Sequence, residues 1–368
     1  MLKPCHVLLM RYKRKLISIG VLAMVLSIIQ YALPAHSRVV TLYDALVFRP
    51  FQSVRNVIFS ISPVSIGDLL YIAGGVVLVI LVVRWMYYLV RFRTHKHELS
   101  ASLLHTVIGV GVVYILFLLG WGGNYYKPSL TEHWNLDKST WKKDTTLPVF
   151  DAYLITKLNE YAPDYRTIPF NEMDSRAQRL FKSHTEGKTK TYGVKVKPSI
   201  FGYLMQHMGI QGYYNPWTGE AQVNQYLPTF MLPFVICHEM AHQAGIAAED
   251  DANLLSYVVG TTVSDPTFRY SAYFNLWLYT HARLRRSDST MANKLAANLN
   301  PLTKAHLDTL RDIRRRYKSE VSDYSGAFYD GYLKLHHQKD GIESYNKVAI
   351  TAWAWEQRKK KEQVIELP

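Results

Sequence analysis

Cysteine is scarce in this 368-residue sequence, which contains only two, Cys5 and Cys237. A framework of disulfides is therefore excluded. Cys5 lies in a basic N-terminal segment, and Cys237 lies in an apolar stretch. We expect Cys237 to be a small buried residue rather than a metal ligand.

A nucleic-acid-binding motif is also lacking, although the formal net charge is +14. The basic residues cluster before the first apolar run, after the second run, and on later helical sequence such as 311–318. Membrane topology explains the first two clusters, and a solvated helix face explains the third. We therefore expect no nucleic-acid partner.

Long aliphatic runs are abundant instead, and they are confined to the first third of the chain. Three of them have transmembrane character, at about 16–33, 69–90 and 103–121. They predict a membrane region over 1–126 that contacts the lipid bilayer. The remaining residues, 127–368, predict a soluble domain.

The basic residues predict which way the membrane region faces. Lysines and arginines precede the first run and follow the second, which places both segments in the cytoplasm. The chain is then a multi-pass protein of the cytoplasmic (inner) membrane, with its C-terminal domain outside the cytoplasm. Arg38, Arg49 and Arg55 in the outward loop weaken this assignment. Two alternatives stay open: the opposite orientation, and a cleaved signal peptide in place of the first helix.

The soluble part predicts a small mixed lobe followed by a helical lobe. An irregular connector is expected over 122–147, and the sequence is nearly all helical from Leu232 onward, with breaks at prolines and glycine. A turn at 216–219 predicts a hairpin. The other elements expected are helices over Asp151–Tyr161 and Met173–His184 and strands over Thr191–Val196, Gly212–Asn215 and Glu220–Asn224.

The most informative sequence is His238-Glu239-Met-Ala-His242. Pro233 suits the first turn of a helix and Gly245 suits its left-handed end. Within that helix His238 and His242 are four residues apart, so both imidazoles face the same side and can bind one metal ion. Glu239 can then act as the general base.

A third ligand is expected just after this helix. Gly245 lets the chain turn, and Glu249 lies on the first turn of a second helix. Either Asp250 or Asp251 is an alternative third ligand. Asn253, one helical turn later, is placed to hydrogen-bond the far nitrogen of a ligand histidine. Two histidines and one carboxylate, with an open fourth position, predict catalytic Zn²⁺.

Two other interpretations compete with a catalytic site in a soluble domain. The histidines could be incidental on a surface helix that precedes a solvated acidic turn. An intramembrane peptidase is disfavoured, because the apolar run at 230–237 is too short to span a bilayer and contains Pro233.

Several longer motifs of this sequence are similar to those of a known protein family. They include 65–71, 120–125, 212–221, the histidine motif with Glu-Asp-Asp-Ala-Asn after it, 268–271, 329–330 and 341–345. In these the chain resembles a group of uncharacterised bacterial membrane proteins, common in Bacteroidetes and catalogued as a domain of unknown function. That family looks like an inferred zinc peptidase.

The run 249–253 is also similar to the Glu-x-x-Ala-Asp run of other membrane gluzincins, such as the peptidases that trim prenylated proteins. This similarity favours Glu249 as the third ligand. Asn253 in place of aspartate and the short gap after His242 depart from the gluzincin pattern.

Supporting roles are expected for residues on either side of the motif. In zincin folds an edge strand holds the peptide substrate, and 220–224 is placed for this in sequence. An ordinary structural hairpin explains the same residues equally well. Arg269 or Tyr270 could stabilise the oxyanion. His207, His336 and His337 are expected to be solvated or locally bonded.

The sequence therefore predicts an α+β, zincin-like fold of the gluzincin type, mostly helical with a small β-sheet, preceded by three transmembrane helices. The predicted function is that of a zinc metallopeptidase acting on extracytoplasmic peptides or proteins. The alternatives are a zincin-fold protein that binds zinc or senses a ligand without turnover, and a cell-wall amidase.

Overall fold

A computed structural model describes residues 3–35, 37–185, 195–317 and 345–359 of the chain. Parts of the sequence analysis lie outside these residues. They are most of the predicted strand at 191–196, the histidines at 336 and 337, the break at 340–341, and the family motifs at 329–330 and 341–344.

The chain divides into two compact units, and the second unit takes a short segment from between two helices of the first. The first unit contains Met1–Phe51 and Ile66–Lys127, and the second contains Gln52–Ser65 and Pro128–Pro368. The sequence analysis divided the chain near residue 126 and assigned 52–65 to the membrane region, whereas this segment belongs to the C-terminal unit.

Three helices of the first unit are long and apolar enough to cross a membrane. They are α1 (Lys3–Ala35), α4 (Ile66–Val90) and α5 (Phe92–Gly120). Each is longer than its predicted span, because the helix continues into the flanking polar sequence. Two short helices follow α1: α2 (Ser37–Tyr43) and, after a π-helical turn at Asp44–Phe48, α3 (Arg49–Ser60).

The connector after α5 is more regular than predicted. It contains a 3₁₀ turn at Gly122–Tyr126 and helix α6 (Leu130–His133), and α7 begins at Lys143. Helix α6 begins with a capping box, in which the Ser129 hydroxyl accepts from the Glu132 N–H at 3.2 Å and the Glu132 carboxylate accepts from the Ser129 N–H at 3.3 Å. The expectation of an irregular 122–147 segment was wrong in this respect.

The second unit contains a three-stranded sheet with the order β1-β3-β2. Strand β3 (Ala221–Val223) lies in the middle, parallel to β1 (Val196–Pro198) and antiparallel to β2 (Gly212–Tyr214). The predicted hairpin is confirmed. The expectation that 220–224 forms an edge strand is wrong, because β3 is hydrogen-bonded on both sides and β2 occupies the edge.

Helices form most of the described part of the second unit. The central one, α10 (Leu232–Gln243), packs against the sheet and against α8, α11 and α12, and nearly all of its residues are buried. The coarse prediction of a mostly helical protein with a small sheet is confirmed. The helices of this unit not bounded above are α7 (Lys143–Tyr161), α8 (Phe170–Thr185), α9 (Gly202–Met208), α11 (Glu249–Thr262), α12 (Pro266–Ser287), α13 (Ser289–Ala296), α14 (Pro301–Tyr317) and α15 (Tyr345–Lys359).

Candidate metal centre

The geometry of the candidate centre begins with the way α10 ends. Gly245 has a φ of 91°, in the left-handed region that favours glycine. Its N–H donates to the His242 carbonyl at 2.9 Å, and the Ile246 N–H donates to the Ala241 carbonyl at 3.1 Å. This is a Schellman motif, which reverses the chain at the end of a helix. Helix α11 then begins at Glu249 and packs back against α10.

The reversal brings Glu249 to the two histidines, and these three residues form what we call the His–Glu cluster. The Nε2 atoms of His238 and His242 are 3.1 Å apart. One oxygen of Glu249 lies 3.3 Å from the Nε2 of His238, and the other lies 3.5 Å from the Nε2 of His242. In the described part of the chain this is the one group of three such side chains close enough to hold a metal ion.

These separations suit a metal ion shared by the three side chains. With bonds of about 2.0–2.1 Å, ligand atoms on a tetrahedron lie about 3.3–3.4 Å apart. The two Nε2 atoms are close to this separation, and each Nε2 lies at a similar distance from a different oxygen of Glu249. Three protein ligands leave a fourth position open. The His238 side chain retains 13% exposure, whereas those of Glu249 and His242 retain 9% and 7%. The cluster is therefore most accessible beside His238.

A backbone contact orients His242 for metal binding. Its Nδ1 lies 2.7 Å from the Ile246 carbonyl oxygen, which can only accept a hydrogen bond. The neutral ring must therefore carry its proton on Nδ1, which leaves the Nε2 lone pair facing the His–Glu cluster. A partner of this kind on the far nitrogen is typical of metal-ligating histidines.

The far nitrogen of His238 has no such partner. His238 Nδ1 and Asn253 Nδ2 are both buried without a hydrogen-bond partner among the described residues. Asn253 itself is 1% exposed, on the turn of α11 that follows Glu249. The predicted hydrogen bond between Asn253 and a ligand histidine is not among the contacts, and that role stays a prediction.

The charges within the cluster are strongly coupled. Burial acts to lower the pKa of His242, but the Glu249 carboxylate outweighs it and raises that pKa to about 9. Burial acts to raise the pKa of Glu249, yet the two imidazoles hold it well below its usual range. The same pairing keeps Glu249 ionised and His242 protonated, so a metal ion that binds here displaces the proton from His242 Nε2 and takes its place beside the carboxylate.

Glu239 lies beside the cluster and against the sheet. A Cβ added to Gly212 on β2 would come within 2.4 Å of Glu239 Oε1 and 2.8 Å of the Gln222 carbonyl oxygen. Only glycine therefore leaves room for the carboxylate at this strand. Glu239 is 3% exposed and its Oε2 has no partner among the described residues. Burial raises the pKa of Glu239 to about 7, against the opposing charges of His238 and His242.

The neighbouring aspartates have other contacts. The Asp251 carboxylate accepts a hydrogen bond from the Leu130 backbone, and Asp250 interacts with the charge of Lys347. Of the three acidic residues considered as the third ligand, Glu249 is the one grouped with the histidines.

Arg269 and Tyr270 make their hydrogen bonds away from the cluster. The Tyr270 hydroxyl contacts His306 Nδ1 at 2.8 Å and Thr303 Oγ1 at 3.1 Å, and we call these three residues the Tyr–His cluster. Arg269 donates to the Val263 carbonyl and to the Tyr161 hydroxyl. None of these bonds reaches His238, Glu239 or Glu249, so the contacts give the expected oxyanion role no support.

Sequence reasoning missed two residues near the cluster. Gly212 does have a sequence signal, because a glycine at the first position of a predicted strand often marks a place where another group approaches the backbone closely. Tyr279 on α12 is partly exposed, and burial raises its pKa, with a further contribution from the charge of Glu249. Nothing in the sequence distinguishes Tyr279 from the other tyrosines, of which the chain has 26.

Fold and site together define a class: a mostly helical protein with three candidate membrane-spanning helices and a buried cluster of two histidines and a glutamate. The chain belongs to the family described as protein of unknown function (DUF3810), which matches residues 43–350. This confirms the resemblance to an uncharacterised family. No curated protein and no solved structure matches the chain.

Proposed function

We propose that this chain is a membrane-anchored zinc metallopeptidase with a zincin-like C-terminal domain. The observation that carries the proposal is the convergence of His238, His242 and Glu249, with Glu239 buried beside them. Two imidazoles and a carboxylate, with the fourth position open, are the ligand set of catalytic zinc in peptidases.

Glu239 favours catalysis over a structural metal site, since a structural site does not require a carboxylate next to its ligands. When bound, zinc supplies Lewis acidity, which lowers the pKa of a water molecule and polarises a carbonyl group. Glu239 would take a proton from that water on Oε2 and deliver it to the leaving amine nitrogen. The water oxygen would bond to the carbonyl carbon of the substrate, and the amide C–N bond would break as the protonated amine leaves.

Strand β2 is the part of the sheet that lies beside the proposed general base. Among the described strands β2 is at an edge of the sheet, and its Gly212 lies against the Glu239 carboxylate. Since zincin folds hold an extended peptide along an edge strand, 212–214 replaces 220–224 as the candidate substrate strand.

The buried arginine removes one objection to the predicted orientation, and the tethered segment is consistent with three crossings of the bilayer. Arg55 counts against the positive-inside assignment, but it is 2% exposed and donates a hydrogen bond to Tyr214 of the hairpin. Its role in the fold therefore explains why an arginine is found in the outward loop. Arg49 pairs with Asp44 at 2.6 Å. The segment 52–65 belongs to the same unit as 128–368, so both lie on one side of a bilayer that α1, α4 and α5 cross. We place that unit outside the cytoplasm.

Metal content and hydrolysis of the full-length protein in detergent test the proposal. The full chain is needed because residues 52–65 form part of the C-terminal unit. We expect about one zinc per chain in the wild type. His238→Ala and Glu249→Ala should lose it. Glu239→Gln should keep the zinc but lose hydrolysis of a quenched-fluorescent peptide library by a factor of roughly 10³ or more.

Three results separate the alternatives. A Glu239→Gln variant that keeps zinc and full activity would rule out the proposed mechanism. Zinc without hydrolysis of peptides or of cell-wall amides would favour a binding or sensing role. No zinc after reconstitution would make the histidines incidental.

A further inference from the structure

Helix α3 buries its polar side in the C-terminal unit. Gln52, Arg55 and Asn56 are 5%, 2% and 8% exposed, and they share one helical face. Gln52 Nε2 donates to the Gly219 carbonyl at 3.0 Å and to Asn56 Oδ1 at 2.7 Å. Arg55 donates to the Gln52 amide oxygen at 2.6 Å and to the Pro216 carbonyl. The polar face of α3 is thus the face that docks on the hairpin turn.

The residues that follow α3, up to Val64, are also held to the C-terminal unit by buried contacts. The Lys197 ammonium, on a residue 3% exposed, donates to the carbonyl oxygens of Phe59 at 2.6 Å and Val64 at 3.2 Å. It also pairs with Glu220 at 2.5 Å. Because both ends are held to the sheet by buried contacts, the outer side of the segment has a defined orientation.

That outer side is apolar. The exposed side chains of 54, 57, 58 and 61 recur at helical spacing on the face opposite to the buried polar residues. Helices of soluble domains have the reverse arrangement, with the apolar face inward. The exposed fractions are 54% for Val54, 65% for Val57, 55% for Ile58, 82% for Ile61 and 46% for Val64.

The position of the segment in the chain limits what can cover this face. Helix α3 ends at Ser60 and the membrane-spanning helix α4 begins at Ile66. Six residue steps reach at most about 20 Å, so the exposed face must stay close to the place where α4 enters the bilayer. On its other side the segment follows α1, a second candidate span.

We propose that the apolar face of α3 and its extension to Val64 lie in the membrane interface, as an amphipathic helix parallel to the bilayer. The lipid acyl boundary takes the place of the core that the valines and isoleucines lack. The polar face then holds the hairpin turn, and the sheet that carries Gly212, at the membrane surface. This inference does not depend on zinc or on catalysis.

Site-directed fluorescence in phospholipid nanodiscs tests the proposal on the full chain. The fluorophore NBD is attached at Val57→Cys or Ile61→Cys in a Cys5→Ser background, in which Cys237 is fully buried. Val149→Cys provides a matched control, since Val149 is 57% exposed and lies on another helix of the same unit. We expect a nitroxide on the lipid acyl chain to quench positions 57 and 61 several-fold more than position 149. Aqueous iodide should show the opposite order.

Two results would overturn the proposal. If iodide quenches all three positions alike, the face lies in water. If positions 57 and 61 are shielded from both quenchers, a protein covers the face, and self-quenching between labelled copies would identify that protein as a second copy of this chain.

Discussion

The C-terminal unit contains two polar clusters, the Tyr–His cluster and the His–Glu cluster, and the sequence analysis expected Tyr270 of the first to act at the second. In the Tyr–His cluster, the Tyr270 hydroxyl has two partners and the groups are neutral. In the His–Glu cluster the ligand atoms face one another. Among the described residues, Nδ1 of His238 and Oε2 of the adjacent Glu239 are buried without a hydrogen-bond partner.

The difference lies in hydrogen bonding and in the convergence of ligand atoms. Satisfied buried hydrogen bonds stabilise a fold, whereas buried polar atoms without partners cost free energy. Such atoms occur elsewhere in the described part of this unit as well, so the convergence of two imidazoles and a carboxylate is what distinguishes the His–Glu cluster. We therefore propose that the His–Glu cluster is the functional one, whereas the Tyr–His cluster joins α12 to α14.

The largest expected effect is on metal binding. His242→Ala should lower zinc affinity by more than about 100-fold, because it removes a direct ligand and the loss of a mere hydrogen-bond partner of a ligand costs up to about 100-fold. Tyr270→Phe should leave the affinity unchanged. His207→Ala serves as a control histidine outside the cluster, and competition with a chromogenic chelator gives the affinities. Equal losses in Tyr270→Phe would mean that the two clusters act together after all.

Gly212→Ala should affect catalysis rather than metal binding. The new methyl group meets Glu239 Oε1 at 2.4 Å, so the carboxylate must move by roughly an ångström, which can cost about 100-fold in kcat. Gly202→Ala is the control, because its Cβ meets the ring of the exposed Tyr226 at 3.0 Å and Asn224 Oδ1 at an ordinary contact distance of 3.5 Å. Zinc content should stay at the wild-type value in both variants. Wild-type turnover in Gly212→Ala would argue against Glu239 as the base.

Tyr270→Phe should affect stability only. It leaves Thr303 and His306 without the hydroxyl, at a cost of about 2 kcal/mol in the free energy of unfolding. Thermal unfolding of the detergent-solubilised protein measures this, with Tyr226→Phe as the exposed control. An unchanged midpoint would show that the Tyr–His cluster is not a stabilising one.

The smallest expected effect is on the pH dependence of stability. Burial lowers the pKa of His306 from 6.5 to about 4, so the unfolded chain binds this proton more readily than the folded chain. The stabilising contribution of neutral His306 is complete above pH 6.5 and is lost as the pH falls through about 4. After allowance for partial exposure this amounts to about 1 kcal/mol. His306→Phe should therefore lose less stability than the wild type between pH 6.5 and 4, and an identical loss would contradict the assignment.

Much of the His–Glu cluster could be predicted from the sequence because its determinants are local. Pro233 and Gly245 bound one helix, the four-residue spacing puts His238 and His242 on one face, and a tight turn leaves Glu249 little freedom. The hairpin at 212–223 was equally local, since turn residues separate two short strands.

The remaining features depend on residues far apart in the chain. Tyr270 follows the motif closely in sequence, yet its hydroxyl is bound by residues of α14. The edge strand is β2 rather than β3 because Val196–Pro198, which precedes the hairpin, pairs with β3. No sequence pattern reports such a pairing.

The sequence by itself determined the apolar helices, the hairpin and the histidine motif, because helix periodicity, turn chemistry and hydropathy act within one or two turns of the chain. Only the tertiary structure decided that Glu239 rests on Gly212 and that residues 52–65 complete the C-terminal unit. It also decided which side of α3 is exposed. Burial is a property of what packs against a residue, and for α3 those neighbours lie about 160 residues further along the chain.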